Sequence, residues 1–133
     1  MAKVHITLVG GQPMPVYNGI KCVQPDKVVF IYSEQTQHQM INIKNEFHNG
    51  AIQFEETEPL DSLHLQKIAA AALHYKEKFK DDDITLNISG GTKTWSYVFA
   101  KVFDDVDTAK IFYIDQNNKV YHLKDEFEFF PIS

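Results

Sequence analysis

The sequence predicts an α/β fold: a mostly parallel sheet flanked by helices, with a carboxy-terminal antiparallel hairpin. Short apolar runs alternate with helix-like stretches along the chain, the pattern of strand-helix-strand units whose crossovers cover both faces of a sheet. Residues 28–32, Val-Val-Phe-Ile-Tyr, are apolar throughout, as a strand covered on both faces must be. Late in the chain two strand-like runs flank Asp115-Gln116-Asn117-Asn118, a turn composition that marks a hairpin.

Residues 3–9 read as the first strand, and Gly10-Gly11-Gln12-Pro13-Met14-Pro15 breaks it sharply. Pro15 suits the first position of a short helix over 16–23, since its fixed φ is already helical. Pro25-Asp26 ends that helix, and the strand 28–32 follows. After Ser33-Glu34-Gln35-Thr36, the residues Met40, Ile43 and Phe47 fall at helical spacing and predict a second helix. Residues 51–57 form a weaker strand. Pro59 stops it, Asp61-Ser62 offers an N-cap, and Leu65, Ile68, Ala72, Tyr75 and Phe79 line one face of the strongest helix. Asp81-Asp82-Asp83 reads as a solvated turn, because three adjacent carboxylates point apart while metal ligands must converge. The strand 84–88 leads through Gly90-Gly91 into a helix carrying Trp95, Val98, Phe99 and Val102, with Trp95 expected in the core. Strands at 109–114 and 120–123 complete the sheet, and 127–130 adds an edge strand.

Composition bounds the function. The 133 residues, 44% hydrophobic and 23% charged, fit one globular domain over 1–133 with no compositional case for disorder. A net charge of −5 argues against a long nucleic-acid track, so an anionic partner must be small and held locally. No run matches a membrane span or a secretion signal, and a cytoplasmic location with no membrane partner is expected. The single cysteine, Cys22, is expected to be a small buried apolar residue. The six histidines lie apart from it and from one another, so neither a metal site nor a cofactor is expected.

The chemistry concentrates at Asn87-Ile88-Ser89-Gly90-Gly91-Thr92-Lys93. A strand that ends in Gly-Gly lets backbone approach a ligand closely, and the following helix offers unpaired N–H groups and positive dipole charge. Thr92 and Lys93 add a hydroxyl and a mobile cation, so the turn suits an anion such as phosphate. It lacks the spacing of a nucleotide-triphosphatase loop, and Gly-Gly-Gln-Pro after the first strand is not a dinucleotide fingerprint. An ordinary strand-to-helix turn with a solvated lysine is the plain alternative. In a parallel sheet, ligands sit at the carboxyl ends of the strands, where the strand order reverses. Three polar turns fall at such ends, Gly10 to Met14, Ser33 to Thr36 and Ser89 to Lys93, and can share one cleft.

Leu8-Val9-Gly10-Gly11-Gln12-Pro13-Met14-Pro15, Ile31-Tyr32-Ser33-Glu34-Gln35-Thr36 and Asn87-Ile88-Ser89-Gly90-Gly91-Thr92-Lys93 together resemble the CRISPR-associated Rossmann fold, or CARF, sensor domain. The similarity spans essentially the whole chain and is closest to the branch at the amino terminus of type III CRISPR effectors. The resemblance implies a Rossmann-like domain that binds a cyclic oligoadenylate, cyclic tetra-adenylate favoured and hexa-adenylate possible, across a symmetric homodimer. It assigns Gly90, Gly91, Thr92 and Lys93 to ring phosphates. Ser89 and the Gly10-Gly11 turn belong to the same cleft, and Gln12, Met14, Ser33, Glu34, Gln35 and Thr36 are assigned to adenines and riboses. Family members usually carry an output domain after the sensor, so a fused effector domain is a further expected partner. Sensing is favoured over the alternative, a metal-independent ring nuclease in which a ribose 2′-OH attacks the adjacent phosphorus and Lys93 stabilises the developing charge.

Overall fold

The computed structural model describes residues 1–47 and 50–124. The elements follow in the order β1 (Lys3–Leu8), α1 (Pro13–Val23), β2 (Lys27–Ile31), a 3₁₀ turn (Glu34–Thr36), α2 (Gln37–Glu46), β3 (Gln53–Glu56), α3 (Leu65–Lys78), β4 (Asp83–Asn87), α4 (Lys93–Phe103), β5 (Lys110–Ile114) and β6 (Val120–His122). The six strands form one sheet in the order β3-β2-β1-β4-β5-β6. All pairs are parallel except β5 with β6, so the fold is the expected Rossmann-like one with its terminal hairpin. The expected edge strand at 127–130 lies outside the described residues.

The sheet has unlike faces. Val4, Ile6 and Leu8 of β1, with Ile84 and Leu86 of β4, pack against Ile68, Ala72 and Tyr75 of α3 and Trp95, Phe99 and Phe103 of α4. On the opposite face Val28 and Phe30 of β2 meet Val16 and Ile20 of α1 and Met40 and Ile43 of α2. Side chains alternate along a strand, so on that second face β1 presents His5 and Thr7, and β4 presents Thr85 and Asn87. A polar seam therefore runs under α1. Gly19 of α1 makes this possible: a Cβ there would stand 2.5 Å from Asn87 Nδ2 and 3.5 Å from His5 Nε2.

His5 is wholly buried, its Nδ1 2.7 Å from Thr85 Oγ1 and its ring stacked on Phe112. Its Nε2 has no hydrogen-bond partner among the described residues. Burial disfavours the imidazolium and lowers its pKa from 6.5 to about 3. Below pH 6.5 the unfolded chain then binds a proton that the folded chain refuses, so stability is present above that pH and falls as the medium is acidified. The expected loss between pH 7 and pH 5 is about 2 kcal/mol. A His5→Leu variant should show a much flatter dependence of its unfolding midpoint over this interval. An equally steep dependence in the variant would assign the acid sensitivity elsewhere.

Several boundaries differ from the sequence expectation. Helix α1 begins at Pro13, two residues before Pro15, because Gln12 is extended and Pro13 already has a helical φ. It ends where Gln24 adopts φ 52° and donates its N–H to the Ile20 carbonyl, before Pro25. Cys22 is exposed rather than buried. It lies two residues beyond Ile20, about 200° around the helix, so the face that buries Ile20 turns Cys22 outward. The N-cap of α3 is His64, whose Nδ1 accepts from Lys67 N, while Asp61 and Ser62 belong to the preceding loop. Leu65, expected on the buried face, is exposed at the first turn of α3.

Candidate ligand-binding cleft

Strand order reverses between β1 and β4: the chain leaves β1 towards β2 on one side, and β4 pairs with β1 on the other. The turns after these two strands therefore meet, and their glycines are what lets them touch. A Cβ on Gly10 would lie 2.6 Å from Gly91 N, and one on Gly90 would collide with the Leu8 carbonyl and lie 2.8 Å from Gly10 N. Backbone cannot yield there as a side-chain tip could. Gly91 has φ 79°, and a Cβ on it would stand 2.7 Å from the Trp95 indole. Gly11 differs: no described atom lies within 4 Å of its would-be Cβ, so it faces open space.

Asn87, buried at the end of β4, organises the turn that follows. Its Nδ2 donates to the Pro15 carbonyl at 3.1 Å, and its Oδ1 accepts from Ser89 N at 3.0 Å and from the Ser89 hydroxyl. Ser89 Oγ in turn accepts from Ile114 N at 2.7 Å. Ser89 thus joins the ends of β4 and β5 rather than presenting a free hydroxyl. Thr92 caps α4 by accepting from Trp95 N at 3.3 Å, and its hydroxyl lies 2.9 Å from that of Thr94.

The segment 57–64, which sequence reasoning treated as a connection, forms a third wall. Thr94 Oγ1 donates to the Ser62 carbonyl at 2.6 Å and Trp95 Nε1 to the Asp61 carbonyl at 3.2 Å. Leu60 N donates to the Tyr32 carbonyl at 2.8 Å. The wall is consequently tied to the end of β2 and to the first turn of α4. Trp95 is buried in the core, as its helical spacing predicts, and its one polar atom serves this fastening.

Two helix starts point at the cleft with different chemistry. Helix α1 opens Pro13-Met14-Pro15, so two of its first three backbone N–H groups do not exist. Helix α4 opens with Lys93 and Thr94, whose N–H groups have no intrahelical acceptor and lie at the positive end of the helix dipole. Of the two starts, that of α4 is the one whose unpaired N–H groups suit an anion. The exposed Lys93 side chain stands at the upper end of the groove between α3 and α4, near Tyr97 and Leu65, where that groove meets the cleft.

In the second turn, Ser33 N donates to Thr36 Oγ1 at 2.9 Å and the two hydroxyls lie 3.2 Å apart, so Ser33 and Thr36 close the turn on itself. Glu34 and Gln35 remain exposed at the mouth of a cavity of about 270 Å³ shared with Pro59, Leu60, Asp61 and Ser62. Gln39 of α2 donates from Nε2 to the Gly11 carbonyl at 2.9 Å and holds the first turn. Gln12 and Met14 are exposed at the start of α1. Of the residues singled out from sequence, Gly11, Gln12, Met14, Glu34, Gln35, Gly91 and Lys93 have exposed positions. Gly10, Ser33, Thr36, Ser89, Gly90 and Thr92 make contacts that shape the turns. The roles of Asn87, Gln39 and the wall 57–64 were not legible, because they rest on contacts between residues far apart in the chain.

A family model described as the Card1 CARF domain matches residues 4–131. No curated protein matches the sequence. Among solved structures, Can2 from Sulfobacillus thermosulfidooxidans in complex with cyclic tetra-adenylate superposes with a TM-score of 0.82 at 15% identity, covering 92% of this chain and 35% of that one. Enterococcus italicus Csm6 bound to cyclic hexa-2′-fluoro-hexa-dAMP gives 0.68 at 16% identity, covering 87% and 34%. A type III CRISPR defence DNA nuclease activated by cyclic oligoadenylate gives 0.71 at 12% identity, covering 90% and 20%. The chain thus spans about a third or less of the length of these proteins, and at such identities the likeness concerns the fold. Among the described residues no helix is long and apolar enough to cross a membrane.

Proposed function

We propose that this chain, which belongs to the family of Card1 CARF domains, binds a cyclic oligoadenylate and acts as a sensor in type III CRISPR signalling. The observation that carries the reading is the α4 N-terminus with Lys93, set beside two interlocked glycine turns at the strand-order switch point. Its N–H groups and cation suit a phosphate, and the adjoining polar turns suit the rest of a nucleotide. Two structures of this fold hold cyclic oligonucleotides of four and six units. We favour cyclic tetra-adenylate.

A ring of identical nucleotides has rotational symmetry that two copies of one cleft can match, so the sensor is proposed to act as a homodimer. The groove between α3 and α4 supports this. Leu65, Leu73 and Tyr97 are 55%, 53% and 65% exposed on these helices, and Lys93 and Thr94 join the groove to the cleft. A partner covering that face would set two α4 N-termini near one axis. Introducing Asp at Leu73 together with Glu at Tyr97 should convert a dimer into a monomer by sedimentation and weaken ring binding. A dimer that survives both charges would exclude this face.

The test of function is incubation with labelled cyclic tetra- and hexa-adenylate, followed by separation of bound ring, free ring and linear product. Retention of intact ring supports the sensor. Slow cleavage that resists chelator and leaves 2′,3′-cyclic phosphate ends identifies a metal-independent ring nuclease. Failure to retain or cleave either ring would refute the proposal.

A further inference from the structure

Resting on the reading of the cleft as half of a cyclic oligoadenylate site, we infer that the wall at 57–64 limits the size of the ring, and that Thr94 and Trp95 are the positioning residues that hold it. A ring shared by two copies of the cleft gives each copy half of its nucleotides, two from the tetra-adenylate and three from the hexa-adenylate. The larger share needs a wider cleft. The wall runs from the end of β2 to the first turn of α4 and bounds the cleft on the side of α3 and α4, while the start of α1 bounds it on the other.

Packing decides which side can yield. Val16 and Ile20 seat α1 in the core, and Asn87 Nδ2 holds its Pro15 carbonyl at 3.1 Å. The wall contains neither helix nor strand; Leu60 packs against the core, but Glu58, Pro59, Asp61 and Leu63 are exposed. Its main chain is held by Leu60 N on the Tyr32 carbonyl at 2.8 Å, Trp95 Nε1 on the Asp61 carbonyl at 3.2 Å and Thr94 Oγ1 on the Ser62 carbonyl at 2.6 Å. The last two ties come from consecutive residues at the start of α4, beside the N–H groups that suit a phosphate. A ring that fits with the wall in place leaves these bonds intact. A ring that must displace the wall binds only after breaking them, so its affinity is reduced by the population of the displaced state. Removing a tie therefore tightens binding of the larger ring and does not tighten the smaller, whereas a loss of structural integrity would weaken both.

The experiment titrates cyclic tetra-adenylate and cyclic hexa-adenylate against the full chain and its Thr94→Val, Trp95→Phe and Thr94→Ser variants. The full chain should prefer the tetra-adenylate by at least about tenfold. Thr94→Val keeps the shape of the side chain and loses the hydroxyl, so it should bind the hexa-adenylate about two- to tenfold more tightly, the range of one neutral hydrogen bond, with no gain for the tetra-adenylate. Trp95→Phe, which lacks the indole N–H, should shift the ratio in the same direction. Thr94→Ser retains the donor and should keep the parental ratio. If the full chain binds both rings equally or prefers the larger, if neither Thr94→Val nor Trp95→Phe gains affinity for the hexa-adenylate, or if Thr94→Ser behaves as Thr94→Val does, the inference is wrong while the ring-binding reading stands. If the full chain binds neither ring, both fall together.

Discussion

Replacing Gly91 by valine should lower the unfolding free energy by about 2 to 5 kcal/mol, a large fraction of the stability of a small domain. Two costs combine. At φ 79° an L side chain is held in the left-handed region, which costs about 1 to 2 kcal/mol before any contact is made. A Cβ there also stands 2.7 Å from Trp95 Cε3 and 3.2 Å from Leu8 Cβ, so the buried indole must shift at a typical overpacking cost of about 1 to 3 kcal/mol. Trp95 cannot move freely, since its Nε1 donates to the Asp61 carbonyl and its ring packs in the core. Gly11→Val is the control. Its Cβ meets no described atom within 4 Å, so its stability should stay within about 0.5 kcal/mol of the parent. Chemical denaturation of the pair separates a structural glycine from one that leaves room for a ligand. A Gly91→Val protein with the parental midpoint would contradict the turn geometry.

Lys93→Ala should weaken ring binding by about 3 to 5 kcal/mol, because a charge-assisted phosphate contact is worth roughly 1.5 to 3 kcal/mol and the proposed homodimer would lose it twice. Binding should also become less sensitive to salt as a cation is lost from the site. Fold stability should barely change, since Lys93 is exposed at the first position of α4 and Thr92 supplies the cap. Calorimetric titration at two salt concentrations reads affinity and salt dependence together. Unchanged affinity would make Lys93 a solvated lysine of the α3–α4 groove and leave phosphate capture to the backbone of α4.

The order of the elements, the parallel sheet with its terminal hairpin and the placing of three turns at strand ends were legible from residues 3–122. Each follows from local properties: apolar runs of strand length, helical spacing of Ile68, Ala72, Tyr75 and Phe79, and the conformational latitude of Gly-Gly and Pro. The likeness of three ordered motifs to CARF domains agrees with the family that the comparison found. Local pattern misjudged the side chains whose fate depends on a neighbouring element. Cys22 faces outward because α1 buries its Ile20 side, and Leu65 is exposed at the start of α3. The N-cap of α3 shows the same limit: His64, not Asp61 or Ser62, caps the helix, and the Asp61 and Ser62 carbonyls instead accept hydrogen bonds from Trp95 and Thr94.

Glycines, cap residues and the cation announce an anion site before any folding is considered, since backbone latitude and helix-end charge belong to the chain itself. The division of labour among those residues is a property of distance. Ser89 and Thr92 have hydroxyls a sequence assigns to a ligand, yet in the folded chain they bind Ile114 N and Trp95 N. Gly90 offers close approach to a ligand on paper and gives it to the Leu8 carbonyl and Gly10 in fact. A hydrogen bond or a steric contact acts over a few ångströms, and which groups come within that range is settled only when strands 80 residues apart, such as those of His5 and Thr85, lie side by side.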